Sequence, residues 1–221
     1  MKVIKIIKKI KNLFSKKINF SDLNKMQKIY LYAGDIPEKT EYNEYIGLSI
    51  SKWNSNHIKH NVLKKIPLKN NSIDRYQSED VFEHIDYDQL HLVINEIYRV
   101  LKKGGLFRLS LPDYKCDILK ERSIKNENGE LVFDPVGGGK LIDGKVVNGG
   151  HLWFPTYIKV KELLEKSDFT NYTFLHYYDE EGNGITNTID YSKGFVMRTP
   201  DNDARVKNPY RPLSLVVDCI K

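Results

Sequence analysis

A mostly parallel α/β sheet with helices on both faces is the fold class this sequence predicts, and three observations carry the prediction. Short apolar runs that read as strands alternate with segments whose apolar residues recur at helical spacing. The stretch from Ile73 to Asp113 reads as strand, helix, glycine turn and strand, which is one βαβ unit. The last run, Leu213 to Ile220 (LSLVVDCI), is apolar enough to be an interior strand.

The elements follow in chain order. Lys28 to Gly34 (KIYLYAG) is an apolar strand ending at a glycine, and Tyr45 to Ile50 (YIGLSI) is a second. The polar DIPEKTEYNE between them is too short for a full crossover helix, so a single helical turn or a loop is expected. His57 to Val62 reads as a third short strand, followed by a loop containing Pro67 and the turn-forming KNNS. Ile73 to Gln77 is the fourth. Leu90, Val93, Ile94, Ile97 and Leu101 then share one face of a helix over Tyr87 to Lys102, which Gly104 and Gly105 should stop. Leu106 to Leu111 is a strand closed by Pro112. From about 122 to 150, glycines break the chain into short β-like pieces, a hairpin or flap inserted in the domain. Pro155 to Lys166 is a second amphipathic helix with Pro at its start, and Tyr172 to Tyr178 is an aromatic strand.

Length and charge divide the 221 residues into a single domain, 21–221, and a basic arm, 1–20. Lys2, Lys5, Lys8, Lys9, Lys11, Lys16 and Lys17 face no acid in the arm, so a chain of net charge +6 leaves a body of about −1. Val3, Ile6, Ile7, Ile10, Leu13 and Phe14 fall on one helical face. Residues 1–17 are thus expected to make a peripheral contact with an anionic membrane, or to pack on the domain or a partner subunit. The near-neutral body lacks a basic stripe interleaved with aromatics, so no nucleic-acid partner is expected. No apolar run approaches the ~20 residues of a membrane span, and lysines interrupt any signal-peptide core. Cys116 and Cys219 have no metal-ligand spacing and are expected as free thiols in a reducing cytoplasm. The six histidines show neither H-x-x-x-H nor HExxH, so no metal site is expected.

In open α/β sheets ligands bind outside the carboxyl ends of the strands. That rule selects Gly34 and Asp35, Ser49, Asn61, Ser78 to His84, and Pro112 with Asp113. At the same places the chain carries IPLKNNSID, SEDVFEHI and NEIYRVLKKGGLFRLSLPD, and later GGHLWFPTYIKVKELLEKSDF and SLVVDCIK. Together these resemble the class I, S-adenosylmethionine-dependent methyltransferases, and more narrowly their small bacterial type-11 branch, over most of the chain from Lys28 onward.

The resemblance implies a three-layer Rossmann-like methyltransferase sheet, mostly parallel with an antiparallel last strand. It implies S-adenosyl-L-methionine as cofactor and methyl transfer to a small-molecule polar acceptor. A hydroxyl of a sugar or nucleotide-sugar in surface-polysaccharide biosynthesis is the class it suggests. A non-catalytic methyltransferase-like scaffold is the alternative. The implied cofactor contacts are Tyr32, Ala33, Gly34, Asp35, Ser49, Asn61, Val62, Ser78 and Glu79. The glycine motif is degenerate: Tyr32-Ala33-Gly34 stands in place of G-x-G, Ser49 in place of the acid that holds the ribose hydroxyls, and Asn61 in place of the acid near the adenine.

Methyl transfer needs in-line positioning and, for a hydroxyl acceptor, a group that takes its proton. Asp80, Glu83 and His84 follow the fourth strand. His84, with an unperturbed pKa of ~6.5, is a candidate base. Asp113 past the fifth strand and His151 after the glycine flap are the other catalytic candidates; a structural role is open for both histidines. Arg198, Arg205 and Arg211 lie in a long polar connection and suit bidentate phosphate or carboxylate binding, with Asp80 on the same rim. Surface pairing of these arginines with Asp201, Asp203 and Asp218 is the other reading.

Overall fold

The structure, a computed structural model, describes residues 17–221. The helical reading of the basic arm therefore lies outside the described residues, apart from its last member Lys17. Ile18 is already part of the body: it is buried, its N–H donates to Asn54 O, and its carbonyl accepts from Trp53 Nε1.

Eight strands form the sheet in the order β11-β10-β12-β5-β4-β1-β2-β3. They are β1 (Tyr30–Ala33), β2 (Tyr45–Ser49), β3 (His57–Lys59), β4 (Ile73–Glu79), β5 (Leu101–Pro112), β10 (Asn171–Tyr178), β11 (Gly184–Thr186) and β12 (Ser214–Ile220). β1 to β5 pair in parallel, and β12 runs antiparallel to both β5 and β10. This is the mostly parallel sheet with an antiparallel last strand; the short β11 adds an antiparallel edge to β10. The glycine-rich insert forms two small hairpins, β6 (Ile124–Lys125) with β7 (Leu131–Phe133), and β8 (Lys140–Ile142) with β9 (Lys145–Val147).

The helices are α1 (Phe20–Leu23), α2 (Tyr87–Val100), α3 (Asp117–Arg122) and α4 (Tyr157–Glu165). α2 starts where Asp86 accepts from the N–H of Asp88, and the acid also suits the positive end of the helix. It ends at Val100 because Leu101 is extended and passes directly into β5. Gly104 and Gly105 thus lie within the strand and do not cap the helix. Leu90, Val93, Ile94 and Ile97 of α2 and Val160, Leu163 and Leu164 of α4 join Phe107, Leu109 and Leu111 in one apolar core. Each fully buried side chain of this size contributes ~1.5–3 kcal/mol.

Strand alternation turns the intervening residues to the opposite face. There the sheet presents Tyr30, Tyr32, Tyr45, Gln77, Glu79, Arg108 and Asp218, and among the described residues no α-helix covers them. The β1–β2 link contains only a 3-10 turn, Thr40–Tyr42, as its length requires. The connection 187–212 lies across this face as a strap, with Phe195 and Met197 packed on the tyrosine cluster. Polar groups fasten it. Arg108, 1% exposed, makes a bidentate pair with Asp218 at 2.7 Å and donates to the carbonyls of Asp190 and Gly194. Gln77 Nε2 donates to Phe195 O, and Met197 N donates to Glu79 Oε2 at 3.0 Å. The third layer is therefore a strap where alternation of elements predicted helices. Among the described residues, no helix is long and apolar enough to cross a membrane.

Candidate active site

Two hollows open at the carboxyl ends of the parallel strands. The larger, about 570 Å³, is lined by Gly34 and Asp35 after β1, Leu48 to Ser51 at the end of β2, Asn61 to Leu63 after β3, and Asp80, Val81 and His84 after β4. Its size is that of a small-molecule site. Gly34 has φ +82°, and a Cβ there would come within 3.2 Å of Val81 Cγ2, so glycine alone keeps the floor clear. The next turn places Asp35 beside Ser49, whose Oγ accepts from the N–H groups of Ser51 and Lys52. Lys52 pairs with Asp35 at 2.9 Å. Burial raises the Asp35 carboxyl, but hydrogen bonds from Ser49 and Lys52 outweigh this and hold it below its ordinary value. His57 supports the same loop by accepting the Ile36 N–H on Nε2 at 3.0 Å.

These residues fit S-adenosylmethionine. Asp35, aided by Ser49, supplies the charged acceptor that a ribose diol needs, at the end of β1 in place of β2. Leu48, Ile50, Val62 and Leu63 supply apolar wall, and Asn61 a polar edge. Asn61 Oδ1 is taken by the Leu63 N–H at 3.0 Å, which shapes the turn.

Four implied cofactor contacts lie elsewhere. Tyr32 is 2% exposed, its ring edge-on to Tyr42 and Tyr45 under the strap. Ala33 points into the helical core. Ser78 is fully buried within β4. Glu79 faces the strap, accepting from Tyr42, Gln77 and Met197; burial pushes its carboxyl up to about 7 against those bonds. The reason is common to all four: the pleat commits each of these side chains to one face of the sheet, under the strap or toward the helices, and away from the rim.

The smaller hollow, about 250 Å³, is lined by Asp80, His84, Arg122, Val136, Gly137, His151, Arg198 and Arg205. Asp80 and His84 belong to both hollows. Asp80 makes the sharp turn after β4 at φ 52° and pairs with Arg198 Nη1 at 2.8 Å, while Nε and Nη2 of Arg198 are buried with no protein partner. Arg205 is fixed by Asp203 at 2.6 Å. Arg122 comes from α3 and pairs with Asp134. The insert contributes His151, whose ring packs against Gly137; a Cβ on that glycine would lie 2.8 Å from it. Burial, then the neighbouring His84, lowers the His151 pKa to about 4.

Two candidates fall outside. Asp113 is fully buried and accepts from Lys115 N at 3.0 Å and Tyr178 N at 2.9 Å, so it clasps β5 to β10. Burial raises it to about 6 despite those bonds. Arg211 pairs with Asp117 and lines neither hollow. Conversely, Arg122 lines the smaller hollow and is held by Asp134, which also accepts from Tyr114; none of the three carries a sequence motif.

Residues 40–109 match a family model described as a methyltransferase domain. No curated protein matches the chain. Among solved structures, it is similar to an S-adenosylmethionine-dependent methyltransferase of Archaeoglobus fulgidus at 13% identity and TM-score 0.51, covering 91% of this chain and 90% of that one. It is also similar to one from Thermotoga maritima at 15% identity and TM-score 0.52, covering 89% and 83%. A third, from Mesorhizobium loti, has 13% identity and TM-score 0.50, covering 87% and 90%. At these identities the structures speak for the fold, and the matched segment spans β2 to most of β5, including the whole wall shared by the two hollows. The fold is that of class I, S-adenosylmethionine-dependent methyltransferases, and the segment 40–109 that matches the methyltransferase-domain model lies across its candidate site.

Proposed function

We propose that the enzyme methylates a hydroxyl of a small anionic acceptor, such as a nucleotide-sugar of the kind used in surface-polysaccharide biosynthesis. The observation that carries this reading is the basic hollow beside the cofactor cleft. Arg122, Arg198 and Arg205 converge there with two histidines, and the buried Nε and Nη2 of Arg198 point to an anion with two oxygens. S-adenosylmethionine supplies an electrophilic methyl group. The chain's own contribution is placement: Gly34, Asp35, Ser49 and Asn61 hold the donor, the arginines hold the acceptor's charge, and both hollows share the wall of Asp80 and His84.

The acceptor hydroxyl must also lose its proton. His84 Nδ1 donates to Gly149 O at 2.8 Å, so its Nε2 keeps a free lone pair at the junction. His151 stands edge-on to it, ring centroids 4.7 Å apart. The two imidazoles mark the junction as the place where the hydroxyl is deprotonated.

The test is methyl transfer from labelled S-adenosylmethionine to a panel of nucleotide-sugars and the same sugars without phosphate. Phosphorylated acceptors are expected to win by at least about tenfold in kcat/KM, and Arg205→Met to erase most of that preference. Equal rates with and without phosphate would sink the anionic-acceptor reading.

A further inference from the structure

We propose that Glu83, His84 and His151 form a binding site for a divalent transition-metal ion, best suited to Zn²⁺. One ligand atom from each of the three lies within 4.8 Å of the others, and His151 Nε2 is already 3.6 Å from Glu83 Oε1. Bonds of ~2.0–2.2 Å to a central ion require a further contraction that side-chain torsions supply.

Hydrogen bonding explains why these three groups need a cation. Glu83 is fully buried, and neither carboxylate oxygen has a hydrogen-bond partner in the protein. His84 donates its Nδ1–H to Gly149 O, since a carbonyl only accepts. Tyr114 gives its hydroxyl proton to Asp134 Oδ2 at 2.6 Å, so its oxygen must accept from His151 Nδ1–H. Each imidazole therefore turns a lone pair on Nε2 away from its hydrogen-bonded side. Burial holds the Glu83 carboxyl well above its ordinary value, so without a cation it keeps its proton; a cation takes that proton's place among three converging electron-pair donors.

The surroundings have the form that supports metal ligands. A histidine ligand usually donates its other N–H to a carbonyl or carboxylate, which fixes the tautomer and raises basicity. His84 has the carbonyl of Gly149, and His151 has the Tyr114–Asp134 relay, itself held by Arg122. The nearest guanidiniums, Arg198 and Arg122, are paired with Asp80 and Asp134, which limits their repulsion of a cation. Two histidines and one carboxylate leave a coordination position for an exogenous oxygen. Both histidines line the basic hollow, so that position faces it. Only this last point, that an acceptor oxygen would fill it, rests on the function proposed above.

The test reads metal alone. The full chain is stripped with a chelator, then titrated with Zn²⁺ and, as a visible probe, Co²⁺. One equivalent of metal per chain is expected, with Glu83→Gln weakening affinity by at least about a hundredfold and Tyr114→Phe by about 10–100-fold through the second shell. Zn²⁺ should also raise the wild-type melting temperature, a readout that does not depend on any variant folding. Absence of both binding and a melting shift overturns the site, as does binding that Glu83→Gln and Tyr114→Phe leave unchanged. Metal binding without a phosphate preference would overturn the acceptor reading and leave the metal site standing.

Discussion

The two faces of the sheet are built on different physics. One is covered by α2 and α4 through interdigitated Leu, Ile, Val and Phe side chains. The other is covered by a strap whose apolar anchors, Ile189, Phe195, Val196, Met197 and Val206, are spread over three small clusters and which is also tied down by Arg108, Gln77 and Glu79. Apolar packing is non-directional and tolerates small shifts, whereas buried ion pairs and hydrogen bonds fix a segment at particular atoms. The strap carries Arg198 and Arg205 into the basic hollow, so the directional face also builds the hollow proposed to hold the acceptor. The comparison teaches a division of labour: the helical face holds the fold together, and the polar face aims the site.

Paired substitutions of similar thermodynamic cost give the sharpest way to break this comparison. Arg108→Met leaves Asp218 and two strap carbonyls without their donor and should cost ~3–5 kcal/mol, while Ile94→Ala in α2 should cost ~2–5 kcal/mol by cavity formation. Urea melts measure both. The difference should appear in kinetics: acceptor KM rises at least about tenfold for Arg108→Met and stays within about twofold for Ile94→Ala. Comparable KM changes in the two variants would erase the distinction between the faces.

A somewhat smaller effect is expected from pH. Glu79 has an ordinary value near 4.5 and is pushed to about 7 in the fold, chiefly by burial. Between those values the folded chain keeps a proton that the unfolded chain has lost, so stability falls as pH rises from 4.5 to 7 and levels off above. The full span corresponds to about 3 kcal/mol. Asp113, raised to about 6, adds a slope of the same sign. Melts at several pH values should therefore show declining stability toward neutrality, and Glu79→Gln should flatten part of that decline. An unchanged slope in Glu79→Gln would mean that its three donors, Tyr42, Gln77 and Met197, already hold Glu79 ionised.

How much of this was legible in the sequence follows the same divide. Strand and helix positions on the helical face announce themselves by apolar periodicity, as Leu90, Val93, Ile94 and Ile97 do in α2. Rim residues at or past strand ends, such as Gly34, Asp35, Ser49, Asn61 and His84, follow from topology once the strands are placed. Tyr32, Ser78 and Glu79 were misplaced because a motif aligns chain positions while the pleat decides which side of the sheet a residue faces. The strap was opaque for another reason. Its polar ties are single hydrogen bonds between residues more than eighty positions apart, such as Arg108 with Gly194, and no local period encodes them. Glu83, His84 and His151 likewise meet only because the glycine insert folds back, and a spacing rule within one helix cannot see that.

The smallest expected effect concerns Arg211, which the sequence grouped with Arg198 and Arg205. All three belong to the same connection, but Arg211 pairs with Asp117, whose side chain is 53% exposed, and it lines neither hollow. An exposed pair of this kind contributes ~0.2–1 kcal/mol. Arg211→Gln should accordingly cost less than about 1 kcal/mol in urea melts and leave acceptor KM within about twofold, in contrast to Arg205→Met. There is one route by which Arg211 could matter. Asp117 opens α3, and the same helix ends at Arg122, which reaches the basic hollow. A KM increase in Arg211→Gln without loss of stability would therefore show that the far end of the strap aims Arg122 through α3, and would extend the directional face to the whole connection.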